Sequence, residues 1–135
     1  MSKRAKVLIV DDDPINRLVL EKTLKAEHDV FLVESGEKAL TFVKTAQVDL
    51  IILDVIMPGI DGYQVLVELK ENPITQSIPI IFISANRSHD DEAKGLELGA
   101  MDYITKPFSP SIVRVRVRNQ LLIKQKNDLL EMLAS

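Results

Sequence analysis

Runs of four unbroken apolar residues recur along this chain at Val7–Val10, Val30–Val33, Leu50–Leu53 and Ile80–Ile83. A strand with one wet face alternates apolar and polar side chains, so a strand that does not alternate is covered on both faces. Longer stretches with helical periodicity lie between these runs. Strands that alternate with helices in this way imply a parallel sheet layered between helices, with right-handed crossovers. In such sheets ligands bind beyond the carboxyl ends of the strands, which is where chemistry is to be sought.

Local signals set the element boundaries. Asp13-Pro14 reads as an N-cap followed by a first-turn proline. It predicts a helix from Pro14 to about Glu27 with Ile15, Leu18, Val19 and Leu24 facing inward. Asp29–Val33 is the second strand. Ser35 caps a helix to about Gln47 that turns Ala39, Leu40 and Val43 inward. Leu50–Leu53 is the most central strand in character. Pro and Gly residues mark 57–62 as a loop, and a helix follows from Gly62 to about Lys70. Pro73 and Pro79 bracket a second loop before Ile80–Ile83. A weak helix covers about 90–98, with Gly95 inside it costing about 1 kcal/mol relative to Ala. Asp102–Ile104 is a short fifth strand at an edge. Ser109-Pro110 repeats the cap signal and opens a last helix.

Composition excludes several classes. The chain has 135 residues, the size of one domain, with 46% apolar and 27% charged residues. Its net charge of -3 argues against a nucleic-acid backbone as the main partner. With no cysteine, disulfides, zinc thiolate sites and thiol catalysis are ruled out. The run Val7–Val10 stops at three aspartates, so it is neither a signal-peptide core nor a membrane span. A cytoplasmic location is expected.

The strand ends carry the polar groups. The first strand ends in Asp11-Asp12, the third in Asp54 and the fourth in Ser84, and Lys106 follows the fifth. Each alone has an ordinary reading: an aspartate after a strand often caps the next helix, Ser84 suits a turn, and Lys106 suits a solvated surface. Jointly they place three carboxylates, a hydroxyl and an ammonium at one rim. Clustered carboxylates raise one another's pKa unless a cation joins them. Oxygen donors of this kind suit Mg²⁺, which takes one or two carboxylates and leaves room for phosphate oxygens. With a lysine and a hydroxyl alongside, the set suits phosphoryl transfer, and a carboxylate can itself be the nucleophile.

At this point the chain resembles the receiver domain of two-component response regulators, of the chemotaxis-regulator type. The matching residues are Val10-Asp11-Asp12 with Pro14, Leu53 to Gly59 with Asp61-Gly62, Ile83-Ser84-Ala85, and Tyr103 with Lys106-Pro107-Phe108. The resemblance covers about Lys6 to Leu121. It implies a flavodoxin-like doubly wound fold: a five-stranded parallel sheet in the order 2-1-3-4-5 with five helices. It implies that Asp54 is the phosphoacceptor. Asp12 would bind Mg²⁺ directly, Asp11 largely through water, and the backbone carbonyl of Ile56 would be a further ligand beside Asp54. Lys106 and Ser84 would bond the phosphoryl oxygens, and Tyr103 would be the switch aromatic. The phosphoryl donor would be a histidine kinase or phosphotransfer protein. The changing surface would be formed by the fourth helix, fifth strand and fifth helix. The domain would catalyse only its own phosphorylation and dephosphorylation. The Lys106-Pro107 bond is expected to be cis.

The rival reading is a haloacid-dehalogenase-like phosphatase that uses Asp11, suggested by Asp11-x-Asp13. It lacks a cap insertion, and Phe108 to Gln120 contains no carboxylate for a later metal motif. A dinucleotide site fails for want of G-x-G-x-x-G. A pure interaction module indifferent to phosphate is the third class. His28 and His89 are expected to be solvated. Arg114, Arg116 and Arg118 read either as a partner patch or as a solvated helix face.

Residues 1–124 are assigned to the receiver domain and 125–135 to a C-terminal extension of the last helix, a candidate coiled-coil linker. Ile112 to Arg118 alternates as a strand would, but the Ser109-Pro110 cap and the family pattern favour helix. From Pro110 to Ala134 no breaker intervenes, giving about 25 residues and roughly 37 Å. Leu122 and Leu129 lie seven apart, as do Ile123 and Leu130, and Leu133 continues the stripe. Such a stripe is expected to pair with a second copy or to lead to an effector domain.

Overall fold

A computed structural model describes residues 4–85 and 89–134, with the side chains of His89 and Asp90 outside the description. Strands β1 (Lys6–Val10), β2 (Asp29–Val33), β3 (Leu50–Asp54), β4 (Ile80–Ser84) and β5 (Asp102–Thr105) alternate with helices α1 (Pro14–Leu24), α2 (Gly36–Thr45), α3 (Gly62–Glu71), α4 (His89–Glu97) and α5 (Pro110–Ala134). All strand pairs are parallel and the order is β2-β1-β3-β4-β5, the doubly wound arrangement. No helix among the described residues is long and apolar enough to cross a membrane.

The unbroken apolar runs are explained by two cores. Val7 and Ile9 of β1, with Leu50, Ile52, Ile81 and Ile83, pack against Leu20 and Leu24 of α1 and Val113 and Val117 of α5. Leu8 and Val10, with Ile51, Leu53 and Phe82, pack on the opposite face against Ala39, Val65, Leu66 and Leu69 of α2 and α3. Burying each such Leu or Ile contributes about 1.5–3 kcal/mol. β2 departs from the expected two-sided burial. It lies at the sheet edge with Asp29, Phe31 and Leu32 exposed, and Phe31 rests on Phe42 at 5.4 Å between ring centroids.

The expected inner face of α1 is corrected. Ile15, Leu18 and Val19 are 70%, 49% and 38% exposed, whereas Leu20, Thr23 and Leu24 are buried. The inward stripe begins at the half-buried Asn16 and Arg17, and Arg17 donates to the Asp11 carbonyl at 2.6 Å. Its first turn is therefore polar, which a search for apolar periodicity misses. The helix also ends at Leu24 rather than near Glu27. There the Arg4 guanidinium reaches back to the carbonyls of Ala26 (3.2 Å) and His28 (2.8 Å). His28 is buried rather than solvated, and burial holds its imidazole below the usual pKa. The expectation for His89 falls outside the described side chains.

The helix caps follow the sequence signals. Asp13 accepts from the Ile15 amide and Ser35 from the Lys38 amide. α5 begins at Pro110 and runs unbroken to Ala134. Of the arginine series, Arg116 pairs with Asp102 at 3.0 Å and Arg118 with Glu27 at 2.8 Å, as on an ion-paired helix face.

Candidate phosphoacceptor site at the strand ends

The register of the sheet brings the polar groups to one rim. Val10 pairs with Leu53, Asp54 with Ile83, and Ser84 with Thr105, so the residues that end these strands emerge side by side. Backbone bonds continue the ladder past the strands: Asp11 donates to Val33 (3.3 Å), Val55 to Ile83 (3.2 Å) and Lys106 to Ser84 (2.7 Å). The Lys106-Pro107 bond is cis, as expected.

Each acidic side chain has a local reason for its place. Asp11 is buried and accepts from the Asp13 amide at 2.9 Å. Asp54 closes β3 and is 5% exposed, with its Oδ1 3.4 Å from the Ile56 amide. The first turn of α3 sits directly behind it. A side chain at Gly62 would place its Cβ 2.4 Å from the Asp54 carbonyl oxygen, so only glycine permits this approach. α3 is anchored there by a reciprocal cap in which the Gln64 amide donates to Asp61 and the Asp61 amide to the Gln64 side chain, both at 2.9 Å. The Asp-x-x-Gln spacing of this capping box was legible in the sequence, and its role in seating α3 was not read from it.

One carboxylate oxygen from each of Asp11, Asp12 and Asp54 lies within 4.8 Å of the others. Asp11 and Asp54 are buried, while Asp12 is exposed and marks the side open to solvent. The Lys106 ammonium lies 3.1 Å from Asp11 and 3.2 Å from Asp54. Burial and then the Asp11 carboxylate push the Asp54 carboxyl up to about 7, against the pull of Lys106. Burial disfavours the charge of Lys106, but the carboxylates of Asp54 and Asp11 outweigh it and hold its pKa above the usual value. Three carboxylates and one ammonium leave the site with an excess of negative charge. An all-oxygen donor set of this charge fits a hard divalent cation.

The other expected site residues are placed as follows. Ser84 is fully buried at the end of β4. Ile56 stands in the loop after β3 with its side chain 64% exposed. Tyr103 is 4% exposed on β5, its ring edge-on to Phe82 with centroids 6.1 Å apart. Asn86, two residues beyond Ser84 and expected to flank the path of an attacking water, lies outside the described residues.

Residues 7–118 match the response regulator receiver domain family. The chain belongs to that family and is a receiver domain of two-component signalling, and the phosphatase reading falls. It is 40% identical over 116 residues to the response regulator PleD of Caulobacter vibrioides, covering 85% of this chain and 26% of PleD. It is 40% identical over 114 residues to the alkaline phosphatase synthesis transcriptional regulatory protein PhoP of Bacillus subtilis, covering 84% of this chain and 47% of that protein. The structure of the chemotaxis protein CheY4 of Vibrio cholerae superposes with a TM-score of 0.82 at 29% identity, covering 87% of this chain and 98% of that one. The chain thus spans about a quarter to a half of the length of the curated relatives it matches.

Proposed function

We propose that this receiver is switched by phosphorylation of Asp54. The observation that carries the reading is the buried Asp54 carboxylate at the end of β3, hydrogen-bonded by Lys106 and grouped with Asp11 and Asp12. In the forward step an Asp54 oxygen attacks the phosphorus of a phosphohistidine on a histidine kinase or phosphotransfer protein. The O–P bond forms as the N–P bond breaks, and the electron pair leaves on the imidazole nitrogen. Lys106 bonds an equatorial oxygen of the transferring group, and Ser84 donates its hydroxyl to another. Asp11, Asp12, Asp54 and the Ile56 carbonyl would hold Mg²⁺. When bound, the ion neutralises charge that the phosphoryl oxygens bring to an already acidic rim.

The product adds charge at the rim, and Ser84 and Lys106 follow it. Tyr103 then settles in a different inward position, and the face formed by α4, β5 and α5 favours one of two arrangements. This face would control an output domain or partner in the cytoplasm. The exposed apolar residues Ile15 and Leu18 on α1, next to the rim, would meet the phosphoryl donor. The last turns of α5, up to Ala134, would pair with a second copy.

Intact-mass measurement with Mg²⁺ and acetyl phosphate, followed by site mapping, tests the reading. A single added phosphoryl group on Asp54, absent from Asp54→Asn, is expected. Mapping to Asp11, or full modification of Asp54→Asn at the wild-type rate, refutes it.

A further inference from the structure

Three aromatic rings form a row across the sheet face under α4. Tyr63, in the first turn of α3, is edge-on to Phe82 of β4, with centroids 5.2 Å apart. Phe82 is in turn edge-on to Tyr103 of β5. α4 lies over this row because Gly95 has no side chain: a Cβ there would come 2.9 Å from Phe82 and 3.2 Å from Tyr103.

Tyr63 also holds α4 from the side. Its hydroxyl donates to the Asp91 carbonyl at 3.2 Å, and the Lys94 ammonium lies 4.5 Å from its ring centroid. The Tyr103 hydroxyl is buried nearby with no hydrogen-bond partner among the described residues. Burial and the neighbouring Tyr103 hydroxyl push the Tyr63 phenol up to about 12, so it remains a donor across the physiological range. At its other end Tyr63 follows Gly62, which packs on the Asp54 carbonyl and donates to Val55 at 2.8 Å. One residue thus touches α4 by hydrogen bond and by ring, and joins through its backbone to the strand end that carries Asp54.

We propose that Tyr63 is a positioning residue of the switch, tying the seat of α4 to the Asp54 end of β3 through its Asp91 bond and its Lys94 contact. The proposal rests on the Asp54 reading for its link to phosphorylation, but the tie to α4 does not require it. A shift of α4 must break or remake the Tyr63–Asp91 bond, so the bond biases the equilibrium that the phosphoryl group also biases.

The test compares wild type, Tyr63→Phe and Lys94→Met by amide hydrogen exchange, thermal melting, and beryllofluoride titration with Mg²⁺ followed by NMR. Tyr63→Phe keeps the ring and loses only the hydroxyl. Amides of 91–97 are expected to exchange at least about fivefold faster, with those of β1 and β3 unchanged. The beryllofluoride midpoint is expected to shift by about threefold or more, with a smaller shift in Lys94→Met. The melting temperature should stay near wild type, which separates positioning from general loss of stability. Unchanged exchange across α4 in Tyr63→Phe overturns the proposal. So does an unchanged midpoint in a wild type that responds to beryllofluoride. If wild type shows no beryllofluoride response, the Asp54 reading falls and exchange alone decides for or against the tie.

Discussion

The Lys106 ammonium stands 3.2 Å from the Asp54 carboxylate, across 52 residues of chain that only the parallel sheet folds back together. The same ammonium lies 3.1 Å from Asp11, so one cation serves two buried carboxylates. Removing one partner of a buried ion pair leaves the others desolvated without compensation. Lys106→Met in divalent-free buffer is therefore expected to lose about 3 kcal/mol in urea unfolding. Part of that loss should return on acidification, as a carboxylate takes up a proton. A variant as stable as wild type at pH 8 contradicts this account.

Asp54 gives the opposite sign. Its folded pKa, about 7, lies above the ordinary 3.8, so the folded state binds the proton more tightly than the unfolded chain does. Ionisation of Asp54 therefore destabilises the fold as pH rises from about 4 through 7, and protonation relieves it. Without divalent cations, Asp54→Asn is expected to be more stable than wild type by about 1–2 kcal/mol at pH 8, with the difference fading by pH 5. Denaturant melts across that range check it. Added Mg²⁺ should stabilise wild type more than the variant.

Gly95→Ala separates propensity from packing. Helix propensity alone makes alanine better by about 1 kcal/mol. The new Cβ would meet Phe82 at 2.9 Å, and overpacking typically costs about 1–3 kcal/mol. Net destabilisation with a more mobile α4 is expected, measured by melting and amide exchange. A gain in stability would show that α4 can lift off the aromatic row without penalty.

Gly95 and α1 mark where local sequence pattern stops determining this fold. The unbroken strand runs, the Asp13-Pro14 and Ser109-Pro110 caps and the acidic strand ends are local patterns, and the architecture follows from them. The order of strands came from the family resemblance rather than from periodicity. Gly95 reads locally as a helix weakener, yet its place is set by rings on α3, β4 and β5. Ile15, Leu18 and Val19 read as core because they are apolar at roughly helical spacing. The true inner stripe starts with Asn16 and Arg17 because Arg17 must reach the Asp11 carbonyl. Between two acids His28 reads as solvated, but the turn after α1 folds it under Arg4. Gly95 and His28 are placed by partners on other elements, whereas Arg17 makes a polar contact only six residues back that apolar periodicity does not register.

Ile56 bears on how long the phosphoryl group persists. It lies two residues beyond Asp54 with its side chain 64% exposed at the mouth of the site. An apolar side chain there cannot orient an attacking water, whereas an amide can. Ile56→Asn is expected to lose phosphate severalfold faster than wild type, followed by the decay of phosphorylated protein after the donor is removed. Equal decay rates would remove Ile56 from any role in lifetime.

The end of α5 carries a row of exposed apolar residues. Leu122, Ile123, Leu129, Leu130 and Leu133 are 49%, 46%, 53%, 63% and 74% exposed. Val113 and Val117, at the start of the same helix, are fully buried against the sheet. The helix thus changes from a core element to an uncovered one along its length. Leu122–Leu129 and Ile123–Leu130 repeat at seven residues, the spacing at which two identical helices bury matching seams. A second copy satisfies that repeat without any further sequence, so self-association through 122–133 is the expected outcome. Sedimentation equilibrium should show a concentration-dependent dimer, and Leu122→Asn with Leu129→Asn should return it to monomer. The double change lies far from the rim, so acetyl phosphate should still modify Asp54 in it. A wild-type chain that stays monomeric with and without beryllofluoride defeats the pairing and leaves the stripe to a following domain.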